Sequence, residues 1–136
     1  MDSKWKKRFN ELAQQVGNWS REEVKVGAVA VDCNRHVTGV GFNGAPPGYD
    51  DSLVNESNST FVVVHAEINA LLNSTGRELT LVITHPPCLQ CAGAIAASQR
   101  VVKVICPPPL QTGRWAESTA EGKKLLTSKD IPVEHP

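Results

Sequence analysis

The sequence predicts an α/β fold, laid out as a three-layer α/β/α sandwich, on two observations. From residue 65 onward helix and strand patterns alternate. Such alternation implies parallel strands joined by right-handed crossovers, with helices packed on the sheet. Ahead of that stretch, the valine-rich runs Val24–Val31 and Val37–Phe42 are separated by only a short polar turn. A connection that short predicts an antiparallel hairpin. The 136 residues suit one domain, 1–136, large enough to bury a single core without disulfides.

The elements follow in chain order. Trp5, Phe9, Leu12, Ala13 and Val16 recur at helical spacing and Gly17 is a plausible stop, so 3–16 reads as an amphipathic helix. Residues 24–31 are almost continuously apolar, as expected of a strand covered on both faces. Asp32 to Arg35 forms the turn and 37–42 the returning strand. Residues 44–60 are dense in Gly, Pro, Asp, Asn and Ser and read as a long loop, of the kind that carries function. Then come a helix near 65–74, a strand 79–84, a helix 89–98, a strand 101–106, a helix 115–127 and a short strand 131–134.

Bulk properties exclude several function classes. Fourteen basic residues balance fourteen acidic ones, so no general attraction to nucleic acid is expected and a small-molecule substrate fits better. No apolar run reaches membrane-spanning length, and Met1–Trp5 lacks the apolar core of a signal peptide, which predicts no membrane association and a cytoplasmic, reducing setting. Of the four cysteines, Cys33 and Cys106 are expected to be buried free thiols.

The other two belong to the feature that decides the reading. His65-Ala66-Glu67 is followed, after 19 residues, by Pro87-Cys88-Leu89-Gln90-Cys91. One imidazole and two thiolates supply three ligands of the type Zn²⁺ prefers, leaving its fourth position to water as in a catalytic site. His65 and Glu67 point roughly 200° apart on an ideal helix, so both reach one ion only if it lies off the helix N-terminus. Cys88 and Cys91 are expected to share a face of the next helix's first turn, where Pro86 and Pro87 are tolerated. The ion is therefore placed between two helix N-termini, with the Glu67 carboxylate beside it to accept and return protons.

This H-x-E…P-C-x-x-C pattern is the signature of the zinc-dependent nucleobase deaminases. Gly41-Phe42-Asn43-Gly44-Ala45-Pro46-Pro47-Gly48 resembles the substrate loop of the deoxycytidylate (dCMP) deaminases. His65-Ala66-Glu67-Ile68-Asn69-Ala70 and Val26-Gly27-Ala28-Val29 are similar to theirs as well. The resemblance implies the five-stranded mixed sheet of the cytidine deaminase fold and a homo-oligomer. It also implies hydrolysis of a cytosine nucleotide, dCMP to dUMP plus ammonia, by a zinc-activated water with Glu67 as proton shuttle. By the same resemblance Asn43 contacts the sugar, Gly44 allows its close approach, and the Ala66 N–H holds the base carbonyl. Asn-Gly is also a strong turn dipeptide, and turn formation is the simpler reading of those two residues alone.

A nucleotide needs a cation for its phosphate, and Lys25, where this branch often carries a basic residue, is the candidate, ahead of Arg21 and Ser20. His85 is expected at the pocket edge, His36 in the turn, His135 in a frayed tail and Trp115 in helix-face packing. The Pro107–Trp115 segment departs from better-known dCMP deaminases, leaving the pocket wall open. Three alternatives remain: a cytidine or free-base deaminase; a tRNA adenosine deaminase, disfavoured by neutral charge; and a structural zinc module, which leaves Glu67 unexplained. A Cys88/Cys91 redox pair would make His65-Ala66-Glu67 a coincidence.

Overall fold

The computed structural model describes residues 1–136. Its order is α1 (Ser3–Gly17), β1 (Gly27–Val31), β2 (Val37–Phe42), α2 (Ser59–Val62), α3 (Ala66–Asn73), β3 (Leu79–Ile83), α4 (Leu89–Ser98), β4 (Val101–Ile105), α5 (Ala116–Ser128) and β5 (Val133–Glu134). The five strands form one mixed sheet in the order β2-β1-β3-β4-β5. β1 runs antiparallel to both β2 and β3, and β3, β4 and β5 are parallel. The expected hairpin and crossovers are both present.

Alternation along β1 sets the layers. Val29 and Val31 face α1, meeting Phe9, Ala13 and Val16. Ala28 and Ala30 face the other way into the larger core under α3, α4 and α5, with Leu81, Ile83 and Ile95. Successive crossovers of one hand place α4 and α5 on the same side. Backbones approach closely where the sequence offers glycine. A Cβ on Gly27 would lie 1.9 Å from the Ala13 carbonyl oxygen, and one on Gly41 would lie 2.3 Å from the Ala70 nitrogen. These two glycines let α1 and α3 press against the sheet.

The free edge of β2 is covered from above. Asn69 and Asn73, one turn apart on α3, donate from their Nδ2 groups to the Phe42 (2.9 Å) and Val40 (3.2 Å) carbonyls. Edge carbonyls are thereby kept from pairing with another chain. At the far end of α3, the Arg100 guanidinium donates to the Leu71 and Ser74 carbonyls, both at 3.0 Å, satisfying groups that a helix C-terminus leaves without partners.

Several expectations need correction. β1 begins at Gly27 rather than Val24: ahead of it the Val26 N–H and the Val24 carbonyl are bonded to the Asn43 side chain. The 44–60 segment is not wholly irregular: it holds a 3₁₀ turn at Asp51–Leu53 and runs into the single turn α2. Cys33 is exposed, not buried. The Asp32 carboxylate accepts from the Asn34 and His36 N–H groups, both at 2.9 Å, which closes a tight turn with Cys33 outside it. Cys106 is buried as expected, and burial pushes its thiol up to about 12. His135 does not fray: its Nδ1 lies 2.7 Å from the Cys106 carbonyl. No helix is long and apolar enough to cross a membrane.

Candidate metal and active site

Two helix starts meet at the ends of β1 and β3. His65 is the N-cap of α3 and Cys88 the N-cap of α4. Because Cys88 is itself the cap, Pro86 and Pro87 stand before the helix rather than in its first turn. The Cys88 sulfur accepts the Cys91 N–H at 3.4 Å, a cap that fixes both thiols. His65 Nδ1 lies 3.1 Å from Cys91 Sγ and 3.7 Å from Cys88 Sγ, and the three ligand atoms lie within 4.8 Å of one another. A tetrahedral zinc with ordinary bond lengths needs separations of about 3.6 Å for N···S and about 3.8 Å for S···S. The donor set and its spacing fit that ion, and softer sulfur ligands favour it over Mg²⁺ or Ca²⁺.

Charge at the cluster is arranged around one shared proton. The Cys91 thiol hydrogen-bonded to Cys88 holds the Cys88 sulfur down at about 4, despite burial. The same bond, together with burial, holds Cys91 protonated. His65 is raised, first by its bond to Cys88. A metal displaces that proton, so binding is expected to release it.

Glu67 sits in the first turn of α3 and is only 4% exposed. Burial pushes its carboxyl up to about 7, against the pull of its own backbone N–H and of His65. A carboxyl poised near neutrality and enclosed beside a thiolate–imidazole cluster is suited to proton transfer. The first backbone bond of α3 is Asn69 N–H to the His65 carbonyl, at 3.0 Å, so the Ala66 N–H has no carbonyl partner.

These groups line a cavity of about 330 Å³, together with Asn43, His85, Leu110, Trp115 and Thr119. The expected residues divide there. Asn43 and Ala66 line the cavity with His65, Glu67 and Cys88. Asn43 does not form the Asn-Gly turn: its Oδ1 accepts the Val26 N–H (2.9 Å) and its Nδ2 donates to the Val24 carbonyl (2.7 Å). It thus holds the two valines of the cavity wall while one amide hydrogen remains for another partner. Gly44 lines a neighbouring groove instead and bridges to Val64, on the strand-like approach to His65. Lys25 is exposed, and its Nζ donates to the Ser20 carbonyl. Val24 and Val26 on either side of it line the cavity, and Lys25 does not.

Trp115 was misjudged from sequence. Instead of packing along α5 it stands at the position before that helix, lines the cavity and meets the His65 ring edge-on, with centroids 6.3 Å apart at 80°. Thr119 was missed altogether. Its buried hydroxyl accepts the Leu110 N–H (3.1 Å) and donates to the Ala116 carbonyl (3.0 Å), fixing the wall segment. Only the proline run and the Arg114-Trp115 pair hinted that this stretch mattered.

Residues 3–107 match the family model described as the cytidine and deoxycytidylate deaminase zinc-binding region. An uncharacterized deaminase of the luxG 3′ region of Aliivibrio fischeri is 36% identical, covering 98% of this chain and 94% of its own. A probable deoxycytidylate deaminase of Caenorhabditis elegans is also 36% identical, over 98% of this chain and 70% of its own. The crystal structure of dCMP deaminase from cyanophage S-TIM5 superposes with a TM-score of 0.79 at 28% identity, covering 100% of both chains.

Proposed function

The chain belongs to the cytidine and deoxycytidylate deaminase family, and on that premise we propose that it hydrolyses dCMP to dUMP and ammonia at the His65/Cys88/Cys91 centre. The observation that carries this reading is the enclosed Glu67 carboxyl, lining a cavity together with His65 and Cys88 of the nitrogen–sulfur–sulfur cluster. The S-TIM5 enzyme has also been crystallised with dCMP and dUMP, which supports a nucleotide substrate here.

His65, Cys88 and Cys91 would hold the zinc, which when bound would supply Lewis-acid activation of a water. Glu67 carries out the proton traffic. It takes one proton from the attacking water and delivers it to ring N3, then takes the second from the hydroxyl now on C4 and gives it to the exocyclic nitrogen as the C4–N bond breaks and C4=O forms. Water thus contributes the uracil oxygen, and the amino group leaves as ammonia. The Ala66 N–H orients the base carbonyl, and the spare amide hydrogen of Asn43 is offered to the sugar. Trp115 lines the cavity beside His65 and offers an apolar wall next to the reacting base.

Exposed Phe61 and Leu72 support assembly with further copies of the chain, and a reducing cytoplasmic setting suits the paired sulfurs. A panel of dCMP, cytidine, cytosine, guanine and adenosine, read by ammonia release, tests the substrate. Deamination of dCMP with the highest kcat/KM is the expected result. Preference for a free base or for adenosine would replace this reading with one of its alternatives.

A further inference from the structure

The cavity meets a nucleotide with a deficit. Its titratable lining groups are His65, Glu67, His85 and Cys88, and no lysine or arginine is among them. The basic side chains suggested by sequence are engaged elsewhere: Lys25 on the Ser20 carbonyl, and Arg21 3.9 Å from the Asp51 carboxylate. Arg114 is differently placed. Its guanidinium carbon lies 5.0 Å from the ring centre of Trp115, whose own ring stands 6.3 Å from that of His65. The cation therefore lies within the sum of those two distances from the metal-ligating ring, on the tryptophan that walls the cavity.

Arg114 takes part in none of the protein's ion pairs. The backbone beside it is anchored, because Thr119 N–H donates to the Trp115 carbonyl at 2.9 Å and the Thr119 hydroxyl ties Leu110 to Ala116. Stacking on indole limits the guanidinium's freedom without satisfying its N–H donors. His85 lines the same cavity, its ring held by Nδ1–H donation to the Pro86 carbonyl at 3.0 Å.

We propose that Arg114, laid on Trp115 at the mouth of the cavity, receives the substrate's 5′-phosphate with His85 beside it, and so selects nucleotides over nucleosides. This rests on the deamination of cytosine nucleotides proposed above. Arginine presents a planar fork matched to phosphate oxygens, and charge-assisted bidentate pairs are stronger than neutral hydrogen bonds.

The test is steady-state kinetics of the zinc-loaded enzyme with dCMP and with deoxycytidine, for wild type, Arg114→Ala and Arg114→Lys, with inorganic phosphate as inhibitor. Losing a hydrogen-bonded charge pair is expected to raise KM for dCMP roughly 10- to 100-fold while kcat stays within about threefold. Deoxycytidine kcat/KM should not change, phosphate inhibition should weaken in Arg114→Ala, and Arg114→Lys should fall between. An unchanged KM for dCMP in Arg114→Ala overturns the proposal. So does an equal loss on dCMP and deoxycytidine, the signature of a disturbed wall. Wild-type enzyme that fails to deaminate dCMP overturns the underlying reading instead, which the wild-type rate alone reveals.

Discussion

Glu67→Gln is expected to lose ~10²–10⁴-fold in kcat while the protein still binds about one zinc per chain, since a single positioned acid–base group contributes on that scale. The substitution is nearly isosteric, and the site is enclosed with Glu67 only 4% exposed, so packing is retained. Glutamine also carries no charge to bury, which removes a desolvation cost rather than adding one. Loss of activity therefore cannot be ascribed to loss of fold or metal. Elemental analysis and single-substrate kinetics on the same sample check it. A variant working at the wild-type rate would mean that protons move by another route.

Cys88→Ser has the second large effect, of a different kind. Serine is a good N-cap, so the capping bond now made by the Cys88 sulfur to the Cys91 N–H survives in oxygen form. What is lost is a thiolate held at about 4, the readiest ligand of the three. Zinc content should fall well below one per chain and activity with it. Metal binding stabilises the folded state by mass action, on the order of 4 kcal/mol at a thousandfold excess over Kd. For a chain of this length that corresponds to a Tm lower by roughly 10–20 °C in zinc-containing buffer. Wild type stripped by a chelator should melt close to the variant. Full zinc occupancy in Cys88→Ser, by elemental analysis, would contradict the ligand assignment.

The parts of the molecule that were legible in sequence are those governed by local rules. Period and punctuation placed α4 at residues 89–98 as observed, and the valine-rich hairpin declared its antiparallel pairing. The His65/Cys88/Cys91 convergence followed from ligand chemistry, because three such groups beside a carboxylate have few other uses. What escaped depends on contacts distant in the chain. Val24–Val26 reads as strand until the Asn43 amide, 17 residues on from Val26, captures its backbone. Lys25 reads as available for phosphate, yet its Nζ is engaged on the Ser20 carbonyl and it does not line the cavity. Trp115 fits a helix pattern, yet a cap position beside the cavity mouth put its ring against His65, 50 residues earlier. Thr119 gave no signal at all, since a buried hydroxyl that ties a loop to a helix looks like any other threonine.

X-ray absorption at the zinc edge, on the loaded protein without substrate, bears most directly on the whole account. Two sulfurs at about 2.3 Å, one imidazole nitrogen near 2.0 Å and a single exchangeable oxygen are predicted. A shell closed by four protein ligands, with no oxygen to exchange, would contradict it: the centre would then be a structural clasp, and Glu67 would have no water to act upon.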